Sequence, residues 1–316
     1  MIDFASSFIE GIALTFYNIF YALTNPQLWL DWTDKQSLMR FIYYGGSFEF
    51  FTAVILVFFI LTAVGTYHRP VMWWSVRILE FTGNRIGRIA AWAGLLMVLQ
   101  QIVIVFLQRI FRVSEISLGP TSPLGYDLFL GTTNMLFSKD LAWWAEELKF
   151  YNAIVICLCC GYTFIQGGHV RVDLFYAGIT RRKKKIIDML GSLFFMMPAM
   201  SLIWLYAWYF MWRHLITPKV SATDTLEVLL RKSRIAKWNV ETIGFSPSGF
   251  DAYFLFKVLL LLFAGLMFLQ AVAFFQRSFL EYREGEGSDS KYLDKDILET
   301  TIDESGPIAS ETGNTK

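Results

Sequence analysis

Long apolar runs are the feature that most constrains how this sequence can fold. A helix needs about 20 mostly apolar residues to cross the roughly 30 Å core of a bilayer, because every backbone polar group must find its partner within the segment. Five stretches meet this requirement clearly: 47–67, 89–110, 143–166, 186–212 and 252–275. The sequence therefore predicts an all-α integral membrane protein that folds as a helical bundle.

The composition of the chain agrees with a lipid environment. Hydrophobic residues make up 55% of the 316 positions and charged residues only 17%, which lies outside the range of ordinary soluble domains. The formal net charge is +1, and the basic residues form short clusters beside the apolar runs, as at membrane edges. We therefore expect membrane lipids as neighbours and no nucleic acid as a partner.

A sixth apolar stretch covers residues 4–24. It carries Glu10 as its one charged residue but also several polar side chains, so it could span the membrane or lie flat at the interface. We favour the spanning alternative, which gives about six transmembrane helices. Residues 70–85 contain paired tryptophans and predict a separate interfacial helix, and residues 223–238 predict a short amphipathic helix between the last two spans.

The distribution of Lys and Arg over the short loops predicts the orientation. The densest loop runs from 167 to 185 and should be cytoplasmic. Alternation then places loop 68–88 and the tail after Phe275 inside, and it places 25–46 and 111–142 outside. Residues 213–250 are an exception, because they are basic and yet external in this scheme. Most of these charges lie away from the span ends, where the bias weakens.

Ionisable groups are nearly absent from the middles of the predicted spans. Such a group deep in a membrane is a functional hypothesis by default, so its distribution bears on function. Glu49, Asp188 and Lys257 lie near segment ends, where we expect local pairing. The central pair Gln100 and Gln101 is explained as well by interhelical hydrogen bonding as by an ion path. Pro198 removes one helical hydrogen bond and should kink the fifth of the six spans.

No constellation of catalytic residues is visible in the sequence. The histidines lie at segment ends, so facing pairs that could hold a haem are not expected. The three cysteines fall within one apolar run and predict ordinary packing. We therefore expect no enzyme activity, no cofactor and no metal.

Two segments of the chain resemble a known family. An external cluster, Ala142-Trp143-Trp144-Ala145-Glu146-Glu147, leads through a span to Gly168-His169-Val170-Arg171-Val172-Asp173 and then to Ile187-Asp188-Met189-Leu190-Gly191. A second match runs from Glu241-Thr242 and Gly244-Phe245-Ser246-Pro247 to Lys257, Gln270 and Arg277. Over about residues 85–280 this order of features is similar to the small membrane subunit of TRAP transporters, the DctQ-type family of tripartite ATP-independent periplasmic transporters. It faintly resembles the larger members linked to mannitol or chloroaromatic compounds, a label that does not fix a substrate.

The resemblance implies a division of the chain and a function. Residues 86–280 would be the four-helix core of the family, and residues 1–85 an extra N-terminal transmembrane hairpin with the interfacial helix, which has no counterpart in that core. The composition of 281–316, rich in Asp, Glu, Gly and Ser, separately predicts an acidic, disordered cytoplasmic tail. In such systems a periplasmic solute-binding protein delivers an organic acid to a large multi-span subunit, which moves it inward on a sodium or proton gradient. The small subunit is implied to be a non-catalytic scaffold in the bacterial inner membrane.

The resemblance also selects candidate interface or structural residues. Arg171 and Asp173 are expected to fix the cytoplasmic end of a span, and His169 to be an interfacial hydrogen-bond donor. Glu146 and Glu147 could contact the large subunit or the binding protein. The candidates are Trp144, Glu146, Glu147, His169, Arg171, Asp173, Asp188 and Lys257. The alternatives from other classes are a membrane anchor or assembly subunit of a respiratory complex and a stand-alone channel.

Overall fold

The computed structural model describes residues 14, 16–112, 115–118, 137–167, 178–239, 250, 253–289 and 291–294. Within these residues, five helices are long and apolar enough to cross a membrane, so five of the predicted spans are confirmed as helices. The chain is a multi-pass, all-α membrane protein. The predicted span 4–24 is described at residue 14 and over 16–24, where it is helical, and its other residues lie outside the described part.

The described helices follow one another along the chain, and two short β-ladders lie at connections between them. In chain order the helices are α1 (16–24), α2 (Gln27–Leu30), α3 (Lys35–Gly45), α4 (Phe48–Tyr67), α5 (Arg69–Phe106), α6 (Leu141–Gln166), α7 (Arg181–Gly191), α8 (Met197–Leu215), α9 (Leu226–Ser233) and α10 (Tyr253–Glu284). The strands are β1 (Glu115–Leu118), β2 (Phe137–Asp140), β3 (Ile216–Thr217) and β4 (Lys237–Trp238). Strands β1 and β2 pair antiparallel, as do β3 and β4.

Helix α10 is the central element of the bundle. It packs against α5, α6, α7 and α8. Its most apolar window is 44% buried, whereas the corresponding windows of the other four spans are 6–11% buried. Ala264, Ala271 and Ala273 of α10 are almost fully buried, and their small side chains let the neighbouring helices approach closely.

The interfacial helix predicted over 70–85 is not a separate element. Helix α5 begins at Arg69, has Pro70 in its first turn and continues without a break past the predicted span boundary, with a π-helical turn at Leu107–Phe111. Gly87 lies inside this helix without interrupting it. The glycine lets α6 approach closely, since an added Cβ would collide with the Cβ of Tyr162. The predicted domain boundary at 85/86 thus lies inside one helix.

Pro198 lies directly after a change of helix type. A π-helical turn, Ser192–Met196, separates α7 from α8, and Pro198 occupies the first turn of α8. Proline cannot donate a hydrogen bond to the preceding turn, and a widened turn accommodates this loss. The fifth predicted span is therefore one composite helix, Arg181–Leu215.

Helix α3 docks on the aromatic end of α8. The indole Nε1 atoms of Trp204 and Trp208 donate to the backbone oxygens of Gly45 (3.0 Å) and Ile42 (2.8 Å). Helix α9, which confirms the short helix predicted within 223–238, packs on α3 and buries Leu229 completely. The segments before the first apolar helix and between α8 and α10 thus form one shared apolar core.

Candidate functional site: ionic clusters at the two ends of the bundle

A buried ionic cluster joins three helices at one end of the bundle. Arg277 of α10 donates from Nε to Oε1 of Glu80 on α5 (2.6 Å) and from Nη2 to Oε2 (2.5 Å). One turn later on α10, Glu281 accepts a bond from Nζ of Lys185 on α7 (2.5 Å) and lies 3.6 Å from Arg277. We call these four residues the Arg277 cluster.

The Arg277 cluster is almost removed from solvent. The side chains of Glu80 and Arg277 are each 9% exposed, and that of Glu281 is 5% exposed. A buried charge is stable only when it is paired and hydrogen-bonded, and the two-pronged guanidinium–carboxylate contact is the strongest arrangement of this kind. Trp73 covers Arg277, with its ring centroid 5.6 Å from the guanidinium carbon. The cluster therefore fixes α5, α7 and α10 against one another.

The chain beyond α10 folds back over this end of the bundle. We call residues 285–289 and 291–294 the C-terminal strap. Arg181 of α7 forms a two-pronged ion pair with Asp289 (2.6 Å to each oxygen) and donates to the backbone oxygen of Gly285 (2.7 Å). Asp294 pairs with Arg88 of α5 (3.1 Å), and its backbone oxygen accepts a bond from Gln166 of α6 (2.8 Å). The strap thus links α5, α6 and α7.

This arrangement differs from the predicted start of the tail at residue 281. The helix continues to Glu284 and the strap follows it, because Arg88, Arg181 and Lys185 supply partners for the acidic side chains. The guanidinium of Arg181 lowers the pKa of Asp289 below its ordinary range. Residues 295–316 of the predicted tail lie outside the described part.

At the opposite end of the bundle, three predicted interface residues contact parts of the chain itself. Gln100 of α5 donates to the backbone oxygen of Trp144 (3.1 Å) and to Glu147 (3.2 Å), both on α6. Glu146 accepts a bond from the backbone N–H of Phe250, just before α10 (2.9 Å). Among the described residues these contacts connect α5, α6 and the residue just before α10. Of the two roles that the sequence allows for Gln100, an interhelical hydrogen bond and an ion path, the structure shows the hydrogen bond.

Lys257 lies at the same end, on the first turns of α10. Its Nζ is 2.9 Å from Nδ1 of His214 on α8, and it lies 3.7 Å from the centroid of the Phe210 ring. An ammonium group can only donate, so Nδ1 of His214 accepts this bond. Lys257 therefore has a local partner near a segment end.

The remaining candidates fall into two groups. Asp188 lies on α7, in the turn after Lys185. His169, Arg171 and Asp173 lie outside the described residues, as does the matched segment 241–247. The three cysteines are half-buried thiols on α6.

The described side chains of these clusters make ion pairs and hydrogen bonds with one another. No group of three His, Cys, Asp or Glu side chains in the described part of the chain is arranged to hold a metal ion. Both ends instead hold paired or hydrogen-bonded charges that fix one helix to the next. Comparisons of the chain with family models, with curated proteins and with solved structures found no match.

Sequence reasoning missed Glu80 and Glu281 and gave Arg277 no role. The sequence pattern places Glu80 in the predicted interfacial helix and Glu281 in the predicted tail. One signal was present: Glu80 is the sole acidic residue in the apolar stretch 70–83, and Arg277 and Glu281 are one turn apart at the end of the last apolar run. Charges of opposite sign at the matching ends of two helices are candidates for pairing.

Proposed function

We propose that this chain is a non-catalytic membrane subunit of a TRAP-type secondary transporter. In this proposal it scaffolds a large, multi-span subunit that moves an organic acid or related solute on an ion gradient. A periplasmic binding protein delivers the solute, and the complex lies in the bacterial inner membrane. Six spans, with both termini cytoplasmic, complete the proposed arrangement.

One observation carries the proposal: the described charged groups lie at the two ends of a bundle whose central helix is apolar in between. From Val258 to Leu269, α10 has no polar side chain, which amounts to about 18 Å of helix at 1.5 Å per residue. Charged or polar side chains facing a cavity mark solute and ion paths in membrane proteins. A bundle with an apolar centre, whose helices are held together by polar contacts at both ends, is suited to a scaffold that does not itself move.

The locked ends support the same role. The Arg277 cluster holds three helices at one end, and the aromatic packing of α3 on α8 holds the other. A scaffold beside a moving subunit must keep its own helices in place, and buried ion pairs that require one geometry provide such fixation.

The outer faces of the spans offer surface for a partner as well as for lipid. Trp92 on α5 is 67% exposed, and Phe195 on the π-helical turn is 78% exposed, although both are large and apolar. Helix pairs in membranes associate through packing of such faces, so some of this surface would contact the large subunit.

Affinity purification of the full chain in mild detergent tests the proposal. We expect a much larger multi-span protein to co-purify, and solute uptake by vesicles to require that protein and a secreted binding protein. Vesicles that contain only this chain should show no gradient-driven uptake. Uptake or ion conductance by the chain alone would overturn the proposal, and a haem or quinone signal in the purified protein would favour a respiratory anchor.

A photo-crosslinking amino acid locates the contact surface. We expect crosslinks to the large subunit from position 92, position 195 or both, because these side chains point out of the bundle. Position 271 is the matched control, since Ala271 is fully buried on α10 and should give no intermolecular product. Crosslinks to lipid alone from both exposed positions would contradict the scaffold role.

A further inference from the structure

A cavity of about 410 Å³ lies between α5 and the C-terminal strap. The α5 side contributes Trp74, Arg77, Ile78 and Phe81, and the strap contributes Tyr292 among others. Its volume falls within the range of small-molecule sites. Neither the scaffold role nor the ionic clusters described above require such a space.

Arg77 is the one cationic side chain among the described residues that line this cavity. Two carboxylates line it, but Glu80 is paired with Arg277, and Asp294 is paired with Arg88. Arg77 has no carboxylate within ion-pair distance among the described residues, and its guanidinium carbon lies 5.1 Å from the centroid of the Tyr292 ring. A planar guanidinium with free donors is the side chain best suited to a phosphate group.

The cavity also has an apolar side that continues outward along α5. Positions 74, 77, 78 and 81 follow the helical spacing of one stripe. On this stripe Trp74 is 65% exposed and Phe81 is 54% exposed, although the adjoining strap is polar. A free phosphate ion would make no use of these side chains, whereas the glycerol and first acyl carbons of a lipid would cover them. Tryptophan is enriched in membrane proteins where lipid headgroups meet hydrocarbon.

We propose that this cavity binds the headgroup of an anionic phospholipid such as phosphatidylglycerol. Arg77 holds the phosphate, and Trp74 and Phe81 contact the start of the acyl chains. Basic pockets at the cytoplasmic side of helix bundles recognise anionic headgroups through the same chemistry. The inference is independent of the transporter role, because it needs only a membrane and the described end of the bundle.

Quenching of tryptophan fluorescence by brominated lipids tests this site. The full chain is placed in phosphatidylcholine vesicles with a varied fraction of brominated phosphatidylglycerol, and brominated phosphatidylcholine serves as the reference. We expect stronger quenching by the anionic lipid, and we expect W74F to remove that excess because Trp74 lines the cavity. Equal quenching by the two lipids would overturn the proposal.

Charge variants distinguish binding of the anionic lipid in this cavity from its general electrostatic attraction to the protein surface. R77Q should require about tenfold more anionic lipid for half of the excess quenching, as expected for the loss of a charge-assisted contact. R77K, which keeps the charge, should lose less. R182Q is the matched control, because Arg182 is an exposed arginine at the same end that does not line the cavity. The same affinity in R77Q and R182Q would contradict the assignment.

Inorganic phosphate distinguishes the two sources of a phosphate group. Millimolar phosphate should leave the excess quenching unchanged, since it cannot replace the apolar contacts of Trp74 and Phe81. Full reversal by phosphate would overturn the lipid as the occupant.

Discussion

Replacing Glu80 by alanine removes one partner of the buried pair with Arg277. The guanidinium then keeps the backbone oxygen of Lys291 (3.1 Å) and the carboxylate of Glu281 at 3.6 Å. Removing one partner of a buried pair costs about 3–5 kcal/mol, and the remaining acidic neighbour places E80A near the lower end, at about 3 kcal/mol.

The reverse variant, R277A, should be more harmful. It leaves two carboxylates, Glu80 and Glu281, in one buried site where Lys185 contacts only Glu281. We expect about 5 kcal/mol of destabilisation. The double variant E80A/R277A removes both members of the pair, so neither charge stays buried without its partner. Its destabilisation should therefore fall short of the sum of the two single effects by about 2 kcal/mol.

Thermal unfolding in mild detergent, followed by tryptophan fluorescence, measures these effects. E80A should lower the apparent Tm by roughly 10 °C, because 1 kcal/mol corresponds to about 2–4 °C in a domain of 150–250 residues. E227A is the matched control, since Glu227 is an exposed glutamate on α9 without an ion pair in the described structure. Additive single effects, or an E80A shift equal to that of E227A, would refute the reasoning.

Two further perturbations test the strap and the close contact of α5 with α6. Because Arg181 lowers the pKa of Asp289 below its ordinary value of 3.8, this pair stabilises the fold above that pH and loses its effect as the pH falls through the lowered pKa. D289N should therefore be less stable than wild type at pH 7, by less than about 1 kcal/mol for this partly exposed pair, and the difference should vanish in strong acid. G87A should destabilise the chain by about 1–3 kcal/mol, because the added Cβ collides with Tyr162. G191A is the control and should not destabilise the chain, since a Cβ at Gly191 meets nothing within 4 Å. Equal melting curves for the two variants would show that the close contact of α5 with α6 is absent.

The predicted helices agree with the structure where local hydropathy decides the outcome. Helix α4 occupies Phe48–Tyr67, one residue from the predicted start of its span, because a serine cap and an apolar run define it locally. The prediction of a separate interfacial helix over 70–85 is wrong for an equally local reason. Trp73, Trp74 and the arginines of 70–85 predict a helix at the membrane surface, and nothing in these residues indicates that the same helix continues into the bundle.

The candidate site was predictable only in part. Gln100, Glu147 and Lys257 were recognised as polar residues near a segment end or between helices, and the structure gives each a partner on another element. The partners themselves were not predictable, because they depend on how each helix is rotated about its axis. Glu281 is an example: the composition of the segment that begins at this residue predicts a solvated tail. In the structure Glu281 lies one turn after Arg277 on α10 and is buried.

By itself, the sequence determined that this chain is built from apolar helices and that its charges lie near their ends, since both properties follow from about 20 consecutive residues at a time. Only the tertiary structure decided which charges meet. Glu80 and Arg277 are 197 positions apart in the sequence, and their contact requires two helices to be aligned in both register and rotation. Hydropathy does not encode that alignment, because the apolar faces of several helices pack almost equally well in lipid.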